Sequence, residues 1–105
     1  MYNSILSLLG LAQKAGKIAS GDFAVEKAIL AGKAKLILVA EDAADETKKK
    51  YCTLAEDYQV DCVTVGSKIE LGTAIGKDFR AVAVILDDGF KKGIQKKLTA
   101  LGTEM

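Results

Sequence analysis

A chain of 105 residues, half of them hydrophobic, has room for one domain with a real core; with three Tyr, three Phe and no Trp, that core rests on Leu, Ile, Val and Ala. No apolar run reaches bilayer length and no signal-peptide pattern opens the chain, so the expectation is a cytoplasmic protein with no membrane partner. The formal net charge of +1 excludes an indiscriminate polycation, and the lack of any His or C-x-x-C excludes a structural zinc site, leaving Cys52 and Cys62 as buried or partly buried free thiols.

Ile5, Leu8, Leu9 and Ala12 recur at helical spacing and predict a first helix ending near Lys14 or Ala15, with Gly16 as its stop. A brief extended piece at 17–20 leads into Ser20-Gly21-Asp22-Phe23-Ala24-Val25-Glu26-Lys27-Ala28-Ile29, where an amphipathic helix runs from about Asp22 to Ala31. Ala-Gly-Lys closes both helices, at 15–17 and 31–33, as shared helix-ending chemistry and not as an internal repeat. Leu36–Ala40 is a short continuous apolar run, the pattern of a strand covered on both faces. Asp42 or Asp45 is placed to cap a helix over 44–58, and Val60–Val65 reads as the next strand. Ser67-Lys68-Ile69-Glu70 has the capping-box form and predicts a helix that stops at Gly76. Ala81–Leu86 is a further buried strand, followed by a helix over 88–98 with Phe90, Ile94 and Leu98 on its apolar side. Helices alternating with buried strands predict an α/β fold: a three-layer α/β/α sandwich around a small mixed, largely parallel sheet.

Charge is unevenly spread along this pattern. Residues 1–38 carry five Lys against two acids, residues 41–61 carry seven acids against three Lys, and residues 62–105 carry seven bases against five acids. A local basic face is therefore compatible with a neutral total, and a ligand such as RNA would be held by geometry as well as charge. Gly21 opens a helix whose first N–H groups and dipole attract anions, and Lys27 adds a full charge near that end. Glu41 and Asp42 follow the strongest strand, where ligands of α/β sheets gather. Glu41 can accept from a base edge; the plainer reading has Asp42 capping a helix and Glu41 solvated. The loop Val65-Gly66-Ser67-Lys68 lies at another strand end, and Gly72 and Gly76 behind it allow close packing. Lys48, Lys49 and Lys50 fan around a helix and read as solvated surface; Lys91, Lys92, Lys96 and Lys97 share an outer face. Gly10-x5-Gly16-Lys17-Ile18 fails as a P-loop, having the wrong spacing, no Ser or Thr after the Lys, and a helix end for its setting. No activated nucleophile or catalytic acid pair is present, so the chain reads as a non-enzyme without a cofactor.

The order of these motifs resembles the ribosomal L-seven-Ae and L-thirty-e superfamily. Gly21…Lys27-Ala28-Ile29, Ala34-Lys35-Leu36-Ile37-Leu38-Val39-Ala40-Glu41-Asp42 and Val65-Gly66-Ser67-Lys68-x-x-Leu71-Gly72-x-x-x-Gly76 carry the resemblance over residues 3–98. Leu8-Leu9-Gly10-Leu11-Ala12-x-x-Ala15-x-Lys17 and Asp87–Phe90 point to its bacterial YlxQ-like branch. The resemblance implies one domain over 1–105 that recognises kink-turn RNA, a sharply bent duplex with sheared G·A pairs beside a bulge, and so a structured-RNA partner such as rRNA. It implies monomeric protein working with ribosomal or RNA-processing proteins. By resemblance Gly21 and Lys27 lie at the G·A pairs, Asp22 and Phe23 beside Gly21 belong to the same RNA-binding surface, Lys35 approaches phosphate, and Glu41 with Val65, Gly66, Ser67 and Lys68 surrounds the extruded nucleotide. Phe23 and Ala24 stand where many members have Asn and Glu, and Gly66 where an Arg is common. The alternative function is a protein-interaction module of the same fold.

Overall fold

The computed structural model describes the backbone of residues 2–102 and the side chains of residues 4–100. The elements are α1 (Tyr2–Lys14), β1 (Ile18–Ser20), α2 (Asp22–Leu30), β2 (Leu36–Val39), α3 (Asp45–Tyr58), β3 (Asp61–Thr64), α4 (Lys68–Ala74), β4 (Val82–Ile85) and α5 (Asp88–Gly102). Helical spacing brings Ile5, Leu9 and Ala12 of α1 fully inside, together with Val25 of α2 and Ile94 of α5. Lys17 N–H reaches the Ala12 carbonyl at 2.8 Å and Lys33 N–H reaches that of Ala28 at 3.0 Å, so α1 and α2 end in the same way. Lys77 N–H closes α4 likewise on the Gly72 carbonyl at 2.8 Å, a third use of the motif.

The four strands lie in the order β1-β4-β2-β3. Leu36–Val39 and Val82–Ile85 are buried throughout, as expected for central strands covered on both faces. The helices α2 and α3 pack against each other and the sheet, while α1 packs with α4 and α5, giving the expected sandwich.

The sheet is mixed, but the expectation of a largely parallel one needs correction. Only β2 with β3 is parallel; β4 runs antiparallel to both β1 and β2. A parallel return from β3 would need a helix long enough to recross the sheet. At seven residues α4 spans only ~10 Å, and the chain then doubles back until Arg80 N–H meets the Lys68 carbonyl at 3.0 Å. It therefore enters β4 from the end at which β3 stopped. Cys52 and Cys62 are exposed, not buried: β3 is an edge strand, and Cys52 of α3 lies beside it at the open margin of the sheet.

Candidate nucleic-acid interface

Because β4 is reversed, the carboxyl ends of β1, β2 and β3 and the start of β4 share one edge of the sheet. Ser20 pairs with Ala83, Val39 with Val82, and Val39 with Thr64 across this edge. The loops that leave it are tied to one another by backbone. Gly21 N–H donates to the Val82 carbonyl at 3.1 Å, Ala40 N–H to Ala81 at 2.8 Å and Glu41 N–H to Gly66 at 2.7 Å. Gly21, Glu41 and the Val65–Lys68 loop thus stand side by side, though they are distant in sequence.

Gly21 caps α2 with φ 90 and ψ 152, a region open in practice to Gly alone, and makes no side-chain cap bond. A side chain here would be strained by about 1–3 kcal/mol. Asp22 follows as the first helical residue. Its carboxylate accepts from the buried Tyr51 hydroxyl and from Lys50 Nζ at 3.1 Å, while Lys50 also reaches Glu26 at 3.0 Å. The Tyr51 bond, then Lys50, holds the Asp22 carboxyl below its usual range. Glu26 first, then Asp22, raises Lys50, and burial raises Tyr51. Asp22 thus turns toward α3 and anchors the start of α2. Lys50 is no idle solvated residue of its triplet.

Asp42 does not cap α3, whose cap residue Ala44 makes no side-chain bond. Its Oδ1 instead accepts the Lys68 N–H at 2.8 Å, joining the end of β2 to the start of α4. Ser67 caps α4 in the expected box: its Oγ accepts from Glu70 N–H at 3.1 Å, and Glu70 Oε1 accepts from Ser67 N–H at 2.9 Å. Such caps are worth about 1 kcal/mol and keep this loop in one shape. Val65 and Gly66 are buried beneath it, with the Gly66 carbonyl taken by Glu41 N–H, so the loop offers the half-buried Ser67 and Lys68 to a ligand.

Phe23 is 82% exposed on the outer side of α2, with Lys27 one turn along and Leu30 beyond it. Lys35 stands apart. It precedes β2, donating its N–H to the Ile85 carbonyl at 2.8 Å, and so lies at the opposite edge from Gly21 and Glu41. Sequence reasoning missed Arg80, the single Arg of the chain, placed directly ahead of a buried strand. Its Nε donates to Ser20 Oγ at 3.2 Å and its Nη1 to the Phe79 carbonyl at 2.7 Å, beside Gly21.

Among the described residues no cluster of His, Cys, Asp and Glu could hold a metal ion, and no helix is long and apolar enough to cross a membrane. Cys52 and Cys62 line a cavity of about 260 Å³ with Lys48, Val39 and Thr64, between α3 and the ends of β2 and β3, and desolvation of the sulfur with the neighbouring Cys52 pushes the Cys62 thiol up to about 11.

Comparison with known proteins agrees with this arrangement. The profile of the Ribosomal protein L7Ae/L30e/S12e/Gadd45 family matches residues 3–95. The RNA-binding protein YlxQ of Bacillus subtilis is 43% identical over 79% of this chain and 83% of its own length. A Bacillus halodurans protein described as having unknown function superposes with a TM-score of 0.83 at 38% identity, over 87% of this chain and 92% of that one. The Giardia lamblia 15.5kD RNA binding protein superposes with a TM-score of 0.76 at 26% identity, over 96% of this chain and 87% of its own. With its motifs in family order and its loops gathered at one sheet edge, the chain belongs to the Ribosomal protein L7Ae/L30e/S12e/Gadd45 family, in its YlxQ-like branch.

Proposed function

We propose that this protein binds structured RNA of the kink-turn type through the edge formed by Gly21, Glu41 and the 65–68 loop, and does no chemistry on it. One observation carries the reading: backbone bonds draw these three loops into a single pre-set surface. A surface assembled from fixed loop backbone suits bent or bulged RNA, whose splayed bases expose edges that a regular helix hides. The capless start of α2 offers N–H groups to the RNA backbone, Lys27 adds charge, and Glu41 accepts from the edge of an unstacked base. Asp22 acts indirectly, by anchoring α2. The names of the relatives support RNA as the ligand, and rRNA-bearing particles with their ribosomal or RNA-processing proteins are the setting we propose.

The test is a titration against a kink-turn RNA and a matched straight duplex over a range of salt. Preference for the kink-turn at every salt concentration is expected. Equal, weak binding to both that salt abolishes would leave only nonspecific charge and end the proposal. A second reading, a protein-docking module, draws on the exposure of Phe23 at 82% and Leu30 at 54% on one helix face. That reading takes over if Phe23→Ala leaves RNA binding intact while the straight and kinked RNAs remain indistinguishable.

A further inference from the structure

Fourteen of the fifteen basic residues are Lys, and the single Arg sits at the centre of the edge described above. Its position is fixed from both sides. The Arg80 backbone N–H is held by the Lys68 carbonyl at 3.0 Å, while its side chain spans to Ser20 through Nε at 3.2 Å and turns back on Phe79 through Nη1 at 2.7 Å. No carboxylate pairs with it among the described residues, and Nη2 with the rest of Nη1 remains unengaged. A guanidinium so held loses little rotamer freedom on binding and presents a planar donor fork.

Two acceptors match such a fork, a phosphate and the O6/N7 edge of guanine. Glu41 and Asp42 stand on the Arg80 and Lys68 side of this edge and would repel a phosphate there, whereas a base edge carries no net charge. Gly21 beside the guanidinium has no side chain to block a nucleotide, and Phe23 and Ala24 offer no side-chain donor there. We propose that Arg80 is the specificity-determining residue of this surface, reading the O6/N7 edge of a guanine that the bent RNA exposes beside Gly21. The inference rests on the RNA-binding function proposed above.

The experiment uses the kink-turn RNA of that titration with each guanine replaced in turn by 7-deazaguanine, against wild-type protein, Arg80→Lys and Ser20→Ala. Wild-type affinity is expected to fall about tenfold at one substituted position. Arg80→Lys, which keeps the charge and loses the fork, should bind the unmodified RNA about tenfold more weakly, with an unchanged salt slope and no further loss at that guanine. Should Arg80→Lys fail to fold, Ser20→Ala carries the test: it releases Nε and should show a smaller deficit confined to the same position. If wild-type protein tolerates every 7-deazaguanine, or Arg80→Lys is indistinguishable from it, the inference falls while the RNA-binding function stands. If wild-type protein does not bind the kink-turn, that function falls and the inference with it.

Discussion

At one edge of the sheet three strands finish and β4 begins, and the loops between them are pinned to one another through backbone and Asp42. At the opposite edge α2 and α3 end, α5 begins, and Lys35, Tyr58, Gln59, Asp88 and Lys91 surround a cavity of about 290 Å³. Here the ends of helices supply carbonyl oxygens and a negative dipole, so Lys33 and Lys35 complement structure that is already present. Lys91 is paired with Asp61 at 3.4 Å, and Gln95 and Lys91 together hold the Asp61 carboxyl below its usual range. Lysines thus stand at both edges, in different settings. The tied edge combines rigid backbone, an uncapped helix start and a fixed Arg80; at the other edge Lys91 pairs with Asp61.

The strongest way to break this comparison is Gly72→Ala. A Cβ at Gly72 would lie 2.4 Å from the Phe79 Cα, a backbone atom that cannot rotate aside. The clash pushes away the turn that presents Arg80, and the cost is about 3 kcal/mol, read as a lower urea midpoint. Wild-type stability in this variant would mean that the turn is free to move, and the tied edge would lose its meaning.

Lys27→Ala and Lys35→Ala set the two edges against each other directly. Lys27→Ala should lower kink-turn affinity by about tenfold and reduce the salt slope by about 0.7–0.9, the loss of one phosphate contact. Lys35→Ala should leave both unchanged. Equal slopes for the two variants would extend the RNA footprint across the molecule and restore the role that family resemblance implies for Lys35.

How far the sequence reveals this division depends on range. The Ser67–Glu70 box, the Gly16 and Gly32 stops and the two central strands are local patterns, and they read correctly. Contacts made across the sheet do not. Asp42 looks like a cap for the next helix but serves Lys68, 26 residues away. Lys50 looks solvated but meets Asp22 at a separation of 28, and Arg80 finds Ser20 at a separation of 60. The direction of β4 was hidden for the same reason, since it depends on where the chain turns after α4. Lys35 enters only through the family resemblance, as a phosphate contact, and it lies at the start of β2, the opposite end of that strand from Glu41.

Tyr51→Phe sharpens the account of how α2 is held. Removing the hydroxyl costs about 1 kcal/mol and frees Asp22 from its first partner. The pH dependence follows from the depressed Asp22 carboxyl: its stabilisation is present above the ordinary value of 3.8 and disappears as pH falls through its lower folded value. Tyr51 has the opposite sense, because its pKa is raised; its contribution is present below the ordinary 10.0 and lost as pH climbs beyond it. Urea melts across acid and alkaline pH should therefore show both slopes in the wild type and weaker ones in Tyr51→Phe. Identical profiles would show that the hydroxyl does not anchor Asp22.

The smallest expected effect lies at the second edge. Gln59 ends α3 with φ 54, the one non-glycine residue of positive φ among those described. Its N–H and that of Val60 still close the helix on Glu56 and Ala55, at 3.3 and 2.9 Å, so the geometry is the one that Gly supplies at the ends of α1, α2 and α4. A side chain in this region costs about 1–2 kcal/mol, whereas Gly loses about 0.5–1 kcal/mol more than other residues in backbone entropy. Gln59→Gly should therefore stabilise the fold by about 0.5 kcal/mol and raise the urea midpoint. Since Gln59 shares its cavity with Lys35, kink-turn affinity should not move. A gain in stability with unchanged affinity would separate the edge that holds the fold from the edge that meets RNA; a fall in affinity would join them.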